Sequence, residues 1–98
     1  MEFTVPFKGE LFYWRGPSPF HFVEVSKRAS EKIRDHRKEL TYGWGVIPTT
    51  VKVKDFEWTT ALFPKGEGYL IPVKDLVRKK LDLELGDLIS GKMIFTLK

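Results

Sequence analysis

Short segments of the chain alternate between hydrophobic and polar residues, which is the pattern of β-strands that bury one face. The first such segment has Phe3, Val5 and Phe7 on one face. Gly9 predicts a bulge, because the residues on both faces are apolar after it. Further strands are predicted at 20–25, 46–54, 56–62 and 69–72, and after a turn at Gly86-Asp87.

Two other segments have the three- to four-residue period of helices. The first is predicted at 27–39, with Ser26 as its N-cap and a narrow apolar stripe of Ala29 and Ile33. The second is predicted at 73–81. Its apolar face consists of Val73, Leu76, Val77 and Leu81. The order strand, strand, helix, three strands, helix, strand predicts a small mainly-β barrel of about six strands with two covering helices.

The composition is that of one small folded domain, which we expect to span residues 1–98. Hydrophobic residues make up 42% of the chain, enough for a core. Cysteine is absent, which excludes disulfides, thiolate metal sites and a cysteine nucleophile. Asparagine and glutamine are also absent and 31% of residues are charged, a composition similar to that of hyperthermophile proteins. The net charge of +4 therefore permits a nucleic-acid partner without requiring one.

The hydrophobic segments are all too short to cross a membrane, because a spanning helix needs about 18 or more apolar residues. The N-terminal residues, Met1 to Thr4, have no basic start followed by an apolar stretch, so we expect no signal peptide. The protein is accordingly predicted to be cytoplasmic, with no membrane partner.

Several short motifs follow one another in a fixed order along the second half of the chain. They are Gly43-Trp44-Gly45, Trp58 through Pro64, Ile71-Pro72-Val73, Arg78 and Gly86-Asp87. This series resembles domain-of-unknown-function family nineteen-oh-five, and the first strand also fits. Two departures are Ser26, where relatives often have proline, and Ala61, where many have serine. Because Ala61 lacks the serine hydroxyl, a chemical role for this position is disfavoured in this chain.

The resemblance implies a double-split β-barrel, the fold of swapped-hairpin transition-state regulators and of DNA-binding antitoxins. Those regulators build the barrel from two chains, whereas this chain is expected to contain both halves. The segments 22–26 and 69–73 each lead from a strand into a helix, an internal repeat whose register is ambiguous by a residue or two. The family carries no established activity, and some relatives are fused to a bacteriocin-protection domain.

Five residues are candidates for binding a ligand: Arg15, Trp44, Trp58, Lys65 and Arg78. The tryptophans could provide a flat stacking surface, or they could fill the core. The cations could bind an anion. Alternatively, Lys65 is a solvated hairpin tip and Arg78 ties its helix to Glu84, Asp87 or a backbone carbonyl. Trp44 stands apart, because its flanking glycines place it on a turn.

The remaining polar groups indicate no catalytic or metal site. His21 and His36 are the only histidines and lack further ligands at matched spacing. No serine lies in a nucleophile-elbow context. The segment 27–39 has six basic and three acidic residues, which fits either a nucleic-acid face or a salt-bridged surface.

These observations favour a binding module without a cofactor, monomeric or weakly dimeric. We expect it to recognise a small molecule or a partner protein at a cleft near the Gly43-Trp44-Gly45 turn and the Lys65 loop. The alternatives are a nucleic-acid-binding barrel, by fold-level analogy with the regulators, and an enzyme with an unrecognised site.

Overall fold

The computed structural model describes residues 2–15, 19–36 and 47–96. These residues form six strands and two helices in the predicted order. They are β1 (Glu2–Arg15), β2 (Pro19–Glu24), α1 (Lys27–Asp35), β3 (Ile47–Val53), β4 (Phe56–Lys65), β5 (Gly68–Pro72), α2 (Asp75–Leu81) and β6 (Leu88–Thr96).

The six strands close into a barrel in the order β1-β2-β5-β4-β3-β6, and neighbouring strands are antiparallel. The predicted fold, a small mainly-β barrel with two helices, is confirmed. Both helices are short, and no helix within the described residues is long and apolar enough to cross a membrane.

The barrel has the topology of two equivalent halves. Exchanging β1, β2, α1 and β3 for β4, β5, α2 and β6 leaves the cyclic strand order unchanged. Strands β2 and β5, which exchange with each other, are paired, and Val23 of β2 lies opposite Ile71 of β5 at the middle of this pairing. Each of these strands leads directly into a helix, whose N-caps are Ser26 and Lys74. Both halves of the double-split barrel therefore lie in one chain.

The core is built from the inward side of the alternating strand residues. Across one side of the barrel the fully buried residues are Leu11, Val23, Ile71 and Leu62. Across the other side Val5 and Val51 both pair with Met93. Each strand contributes every second residue to this core. On the outer side of β2 and β5, Phe22 and Leu70 are also fully buried.

Helix α1 uses the narrow apolar stripe that its sequence predicts, since Ala29 and Ile33 are buried. The Ser26 hydroxyl accepts a hydrogen bond from the Ala29 N–H at 3.4 Å, which confirms the predicted cap. In α2, Val77 is buried but Leu76 is 63% exposed. The prediction that Leu76 shares the buried face was wrong, because consecutive residues of a helix point about 100° apart and Val77 occupies the inner position.

The predicted bulge at Gly9 is absent. Pairing between β1 and β6 continues one-to-one through Gly9 and Ile89, and Val5, Phe7 and Leu11 all face inward. Gly9 instead lies where β1 leaves β6 and joins β2. A Cβ there would collide with the Glu24 carbonyl oxygen and approach Val23 Cγ1 to 2.8 Å, so the strand crossing requires glycine.

The element boundaries differ from the sequence prediction by two residues or more in three places. Strand β4 continues beyond Leu62 to Lys65, where the tip is Gly66-Glu67. Helix α1 ends at Asp35, and residues 37–39 of its predicted span lie outside the described residues. Helix α2 begins at Asp75 rather than at residue 73.

Candidate functional site

A cluster of aromatic side chains lies on the outer surface of the sheet β1-β2-β5-β4. Even-numbered residues of β1 point outward there, because Leu11 faces the core. Phe12 pairs with Phe22 across β1 and β2, and Phe63 of β4 pairs with Leu70 of β5. We define the aromatic face by Phe12, Trp14, Phe22, Phe63 and Lys65.

Phe22 forms the floor of the aromatic face and is fully buried. Its ring centroid lies 6.2 Å from that of Phe12, 5.9 Å from that of Trp14 and 5.7 Å from that of Phe63. These separations are typical of favourable aromatic pairs. Above this floor Trp14 is 40% and Phe63 39% exposed. The result is a continuous surface of rings that is open to a flat partner.

Lys65 adds a charge to this surface. Its Nζ lies 5.6 Å from the ring centroid of Phe12 and 5.5 Å from that of Trp14, within cation–π range of both rings. Within the described residues no carboxylate lies at ion-pair distance from Lys65. A cleft of about 470 Å³ begins beside it and is also lined by Gly9, Glu10, Phe12 and Glu24.

The opposite face of the β1–β2 hairpin carries a polar cluster at the barrel end next to α2. Tyr13 and His21 pair across the two strands, with ring centroids 5.0 Å apart in an edge-to-face arrangement. Arg78 of α2 donates from Nη2 to Asp75. Burial and, secondarily, the charge of Arg78 lower the pKa of His21, while Asp75 acts in the opposite direction.

This lowered pKa predicts a pH dependence of stability. The unfolded chain holds the proton on His21 at the ordinary pKa of about 6.5, whereas the folded chain releases it at a lower pH. As the pH falls from about 7 to about 5, the unfolded state therefore gains protons first and the barrel loses stability. Replacing His21 with glutamine should reduce this loss, measured as the free energy of unfolding in urea at both pH values. Equal losses in the two proteins would contradict the assignment.

A third feature is a cleft of about 520 Å³ between β4 and α2. Trp58 lies in it, opposite Val51 in the pairing of β3 and β4, and stacks on Phe56 with centroids 6.1 Å apart. The Trp58 ring is partly buried against the core, and its Nε1 is buried without a hydrogen-bond partner in the part of the chain that the structure describes. Trp58 thus fills the end of the barrel on one side and lines a cleft on the other.

The predicted binding residues fall in different places. Lys65 belongs to the aromatic face, Arg78 to the polar cluster and Trp58 to the cleft beside α2. Arg15 is exposed at the end of β1, on the same side of the strand as Tyr13 by alternation. The Gly43-Trp44-Gly45 turn lies outside the described residues, so its role stays a prediction.

The predicted partner of Arg78 was wrong. The ion pair is formed with Asp75, one helical turn earlier, because residues three apart are neighbours on a helix. Asp87 instead accepts a hydrogen bond from the Glu84 N–H at 2.8 Å.

The sequence prediction also missed Phe12 and Phe63 as site residues. For Phe12 the signal was the pair of apolar faces after Gly9, which fits an aromatic outer surface as well as a bulge. The position of Phe63 beside Phe22 follows from the strand order.

Residues 7–92 match the family described as Domain of unknown function (DUF1905). The chain belongs to the DUF1905 family. The resemblance predicted from the ordered motifs is thereby confirmed, and the matched span includes the aromatic face, the polar cluster and the cleft beside α2. No curated protein and no solved structure matches the chain significantly. The family description names no activity, and among the described residues no group of histidine and carboxylate side chains is arranged to hold a metal ion.

Proposed function

We propose that this DUF1905 domain is a binding module that recognises a flat aromatic group bearing one acidic group at the aromatic face. The group could belong to a small molecule or to a side chain of a partner protein. The observation that carries the proposal is the position of Lys65, which lies over the rings of Phe12 and Trp14 and has no ion-pair partner among the residues that the structure describes. Exposed aromatic side chains beside an unpaired cation favour a ligand that provides both a ring and an anion.

The expected affinity is modest. Stacking on Trp14 and Phe63 contributes about 0.5–1.5 kcal/mol for each ring pair beyond the apolar area that is buried. An exposed ion pair with Lys65 adds about 1 kcal/mol at most. A small probe without other contacts is therefore expected to bind with a Kd of about 1 mM. Tighter binding requires a larger partner that also enters the adjacent cleft.

The charges around Lys65 favour a ligand with a single acidic group over a polyanion. Glu10 and Glu24 line the cleft next to Lys65. Their carboxylates repel a chain of phosphates more than they repel one isolated anion, because repulsion accumulates over successive charges. The aromatic face still resembles the stacking surfaces that bind single-stranded nucleic acids, which keeps that function as the second candidate.

The first test compares 2-naphthoate with uncharged 2-naphthalenemethanol by NMR titration. We expect Lys65→Met to lower the affinity for naphthoate several-fold, to about that for the alcohol, since methionine retains much of the aliphatic stem but removes the charge. Trp14→Ala should lower the affinity for both compounds. Lys92→Met, an exposed strand lysine elsewhere on the barrel, serves as the matched control and should change neither affinity. Unchanged naphthoate binding by Lys65→Met would refute the role of Lys65.

The salt dependence of binding distinguishes the nucleic-acid function from recognition of a single aromatic acid. Labelled single-stranded DNA and RNA should show no binding, or weak binding, at low salt if Glu10 and Glu24 oppose a polyanion. Binding that is strong at low salt and falls steeply as salt is added would favour the nucleic-acid function instead, because counterion release produces that slope.

A further inference from the structure

Arg78 is incompletely paired although most of its side chain is buried. The side chain is 25% exposed, and its Nη2 donates to an oxygen of Asp75. Its Nε is buried and has no hydrogen-bond partner among the described residues. Leaving a buried donor of a charged group unpaired costs about 1–3 kcal/mol or more, so the environment of Arg78 favours an additional acceptor.

The two nitrogens Nε and Nη2 form one edge of the guanidinium group. That edge matches two oxygens of a carboxylate or a phosphate, which can bind it through two parallel hydrogen bonds. Asp75 uses only the Nη2 position. Its own side chain is 82% exposed, and exposed ion pairs three residues apart on a helix contribute little to stability. Asp75 is therefore a partner that an external anion can displace.

The groups around this edge favour an incoming anion. His21 lies close enough to Arg78 for the two to interact electrostatically, and Tyr13 contacts His21. Arg15 follows Tyr13 by two residues on the same side of β1. Arg78, His21 and Tyr13 thus form one cluster with a single identified acidic residue, Asp75, and Arg15 lies on the same side of β1 as Tyr13.

We propose that the guanidinium edge of Arg78 is an oxyanion-binding site. A carboxylate or phosphate group displaces Asp75, accepts hydrogen bonds from Nε and Nη2 of Arg78, and lies beside His21. The site is on the opposite face of the β1–β2 hairpin from the aromatic face and uses none of its residues. It does not depend on the function proposed above.

The test uses the full chain with inorganic phosphate or acetate as the probe, and follows the Nε–H signal of Arg78 by NMR. We expect a saturable shift of this signal, and a higher anion affinity in Asp75→Asn, where the competing charge is removed. Arg78→Lys should bind about tenfold more weakly, because lysine cannot form the paired hydrogen bonds. Whichever probe binds more tightly identifies the ligand class.

Lys92→Met is the control variant, since it removes an exposed strand lysine that belongs to neither proposed site and should leave the phosphate and acetate affinities unchanged. An Arg78 Nε–H signal that does not move with either probe would overturn the proposal. An Asp75→Asn variant with equal or lower anion affinity would do so as well, even if Arg78→Lys fails to fold. Failure of naphthoate binding at the aromatic face would leave this result unaffected.

Discussion

Replacing Gly91 with alanine is expected to destabilise the barrel by about 3 kcal/mol or more. Gly91 lies in β6, opposite Phe7 of β1 and beside the end of β3. A Cβ at this position would collide with the carbonyl oxygen of Lys52. It would also lie 2.8 Å from Val53 Cγ2 and 3.1 Å from Phe7 Cε1. The main collision is with backbone, which cannot move without disturbing the strand pairs that close the barrel.

Gly68→Ala is the matched control, because Gly68 is also a strand glycine without a positive φ. The nearest atom to its added Cβ is Ser30 Oγ at 3.5 Å, an ordinary contact distance. We expect its free energy of unfolding in urea to change by less than about 1 kcal/mol. Similar unfolding free energies for the two variants would mean that β6 does not cross the end of β3 as closely as described.

Replacing Leu62 with alanine is expected to cost about 3 kcal/mol of stability. Leu62 is fully buried on the inner side of β4 and belongs to the core residues shared by the two halves of the barrel. Its removal leaves a cavity surrounded by strands on both sides. Because those strands belong to a closed sheet, they can move inward only slightly to fill the space.

Leu76→Ala provides the same chemical change at an exposed position of α2 and should cost less than about 0.5 kcal/mol. Urea unfolding of both variants, with the slope of the transition compared, gives the two values. A large loss in Leu76→Ala would contradict the orientation of α2, and a small loss in Leu62→Ala would contradict the placement of the core.

The barrel is largely predictable from the sequence because the strands and helices have clear periods. The strand predicted at 56–62 is present as part of β4, and Leu62 points into the core. The errors arise where one pattern has two explanations. Apolar residues on both sides of β1 after Gly9 indicate either a bulge or an aromatic outer surface, and the local sequence does not distinguish them. Only the packing of β1 against β2 shows which of the two structures forms.

The candidate sites are less predictable, because their members come together through strand register. Lys65 and Trp14 are 51 positions apart in the sequence and meet because β4, β5, β2 and β1 are adjacent in the sheet. The sequence identifies Lys65 and Arg78 as suitable cations. It does not reveal that they lie at separate sites, or that Asp75 is the ion-pair partner of Arg78.

The measurement that tests the proposed recognition surface most directly is a map of intermolecular nuclear Overhauser effects between the wild-type protein and 2-naphthoate. We expect contacts from the naphthyl ring to Trp14, Phe12 and Phe63, with the carboxylate end near the Lys65 side chain. Contacts centred on Trp58 and Phe56, with the Trp14 and Phe63 signals unchanged, would contradict the account and would place recognition in the cleft beside α2.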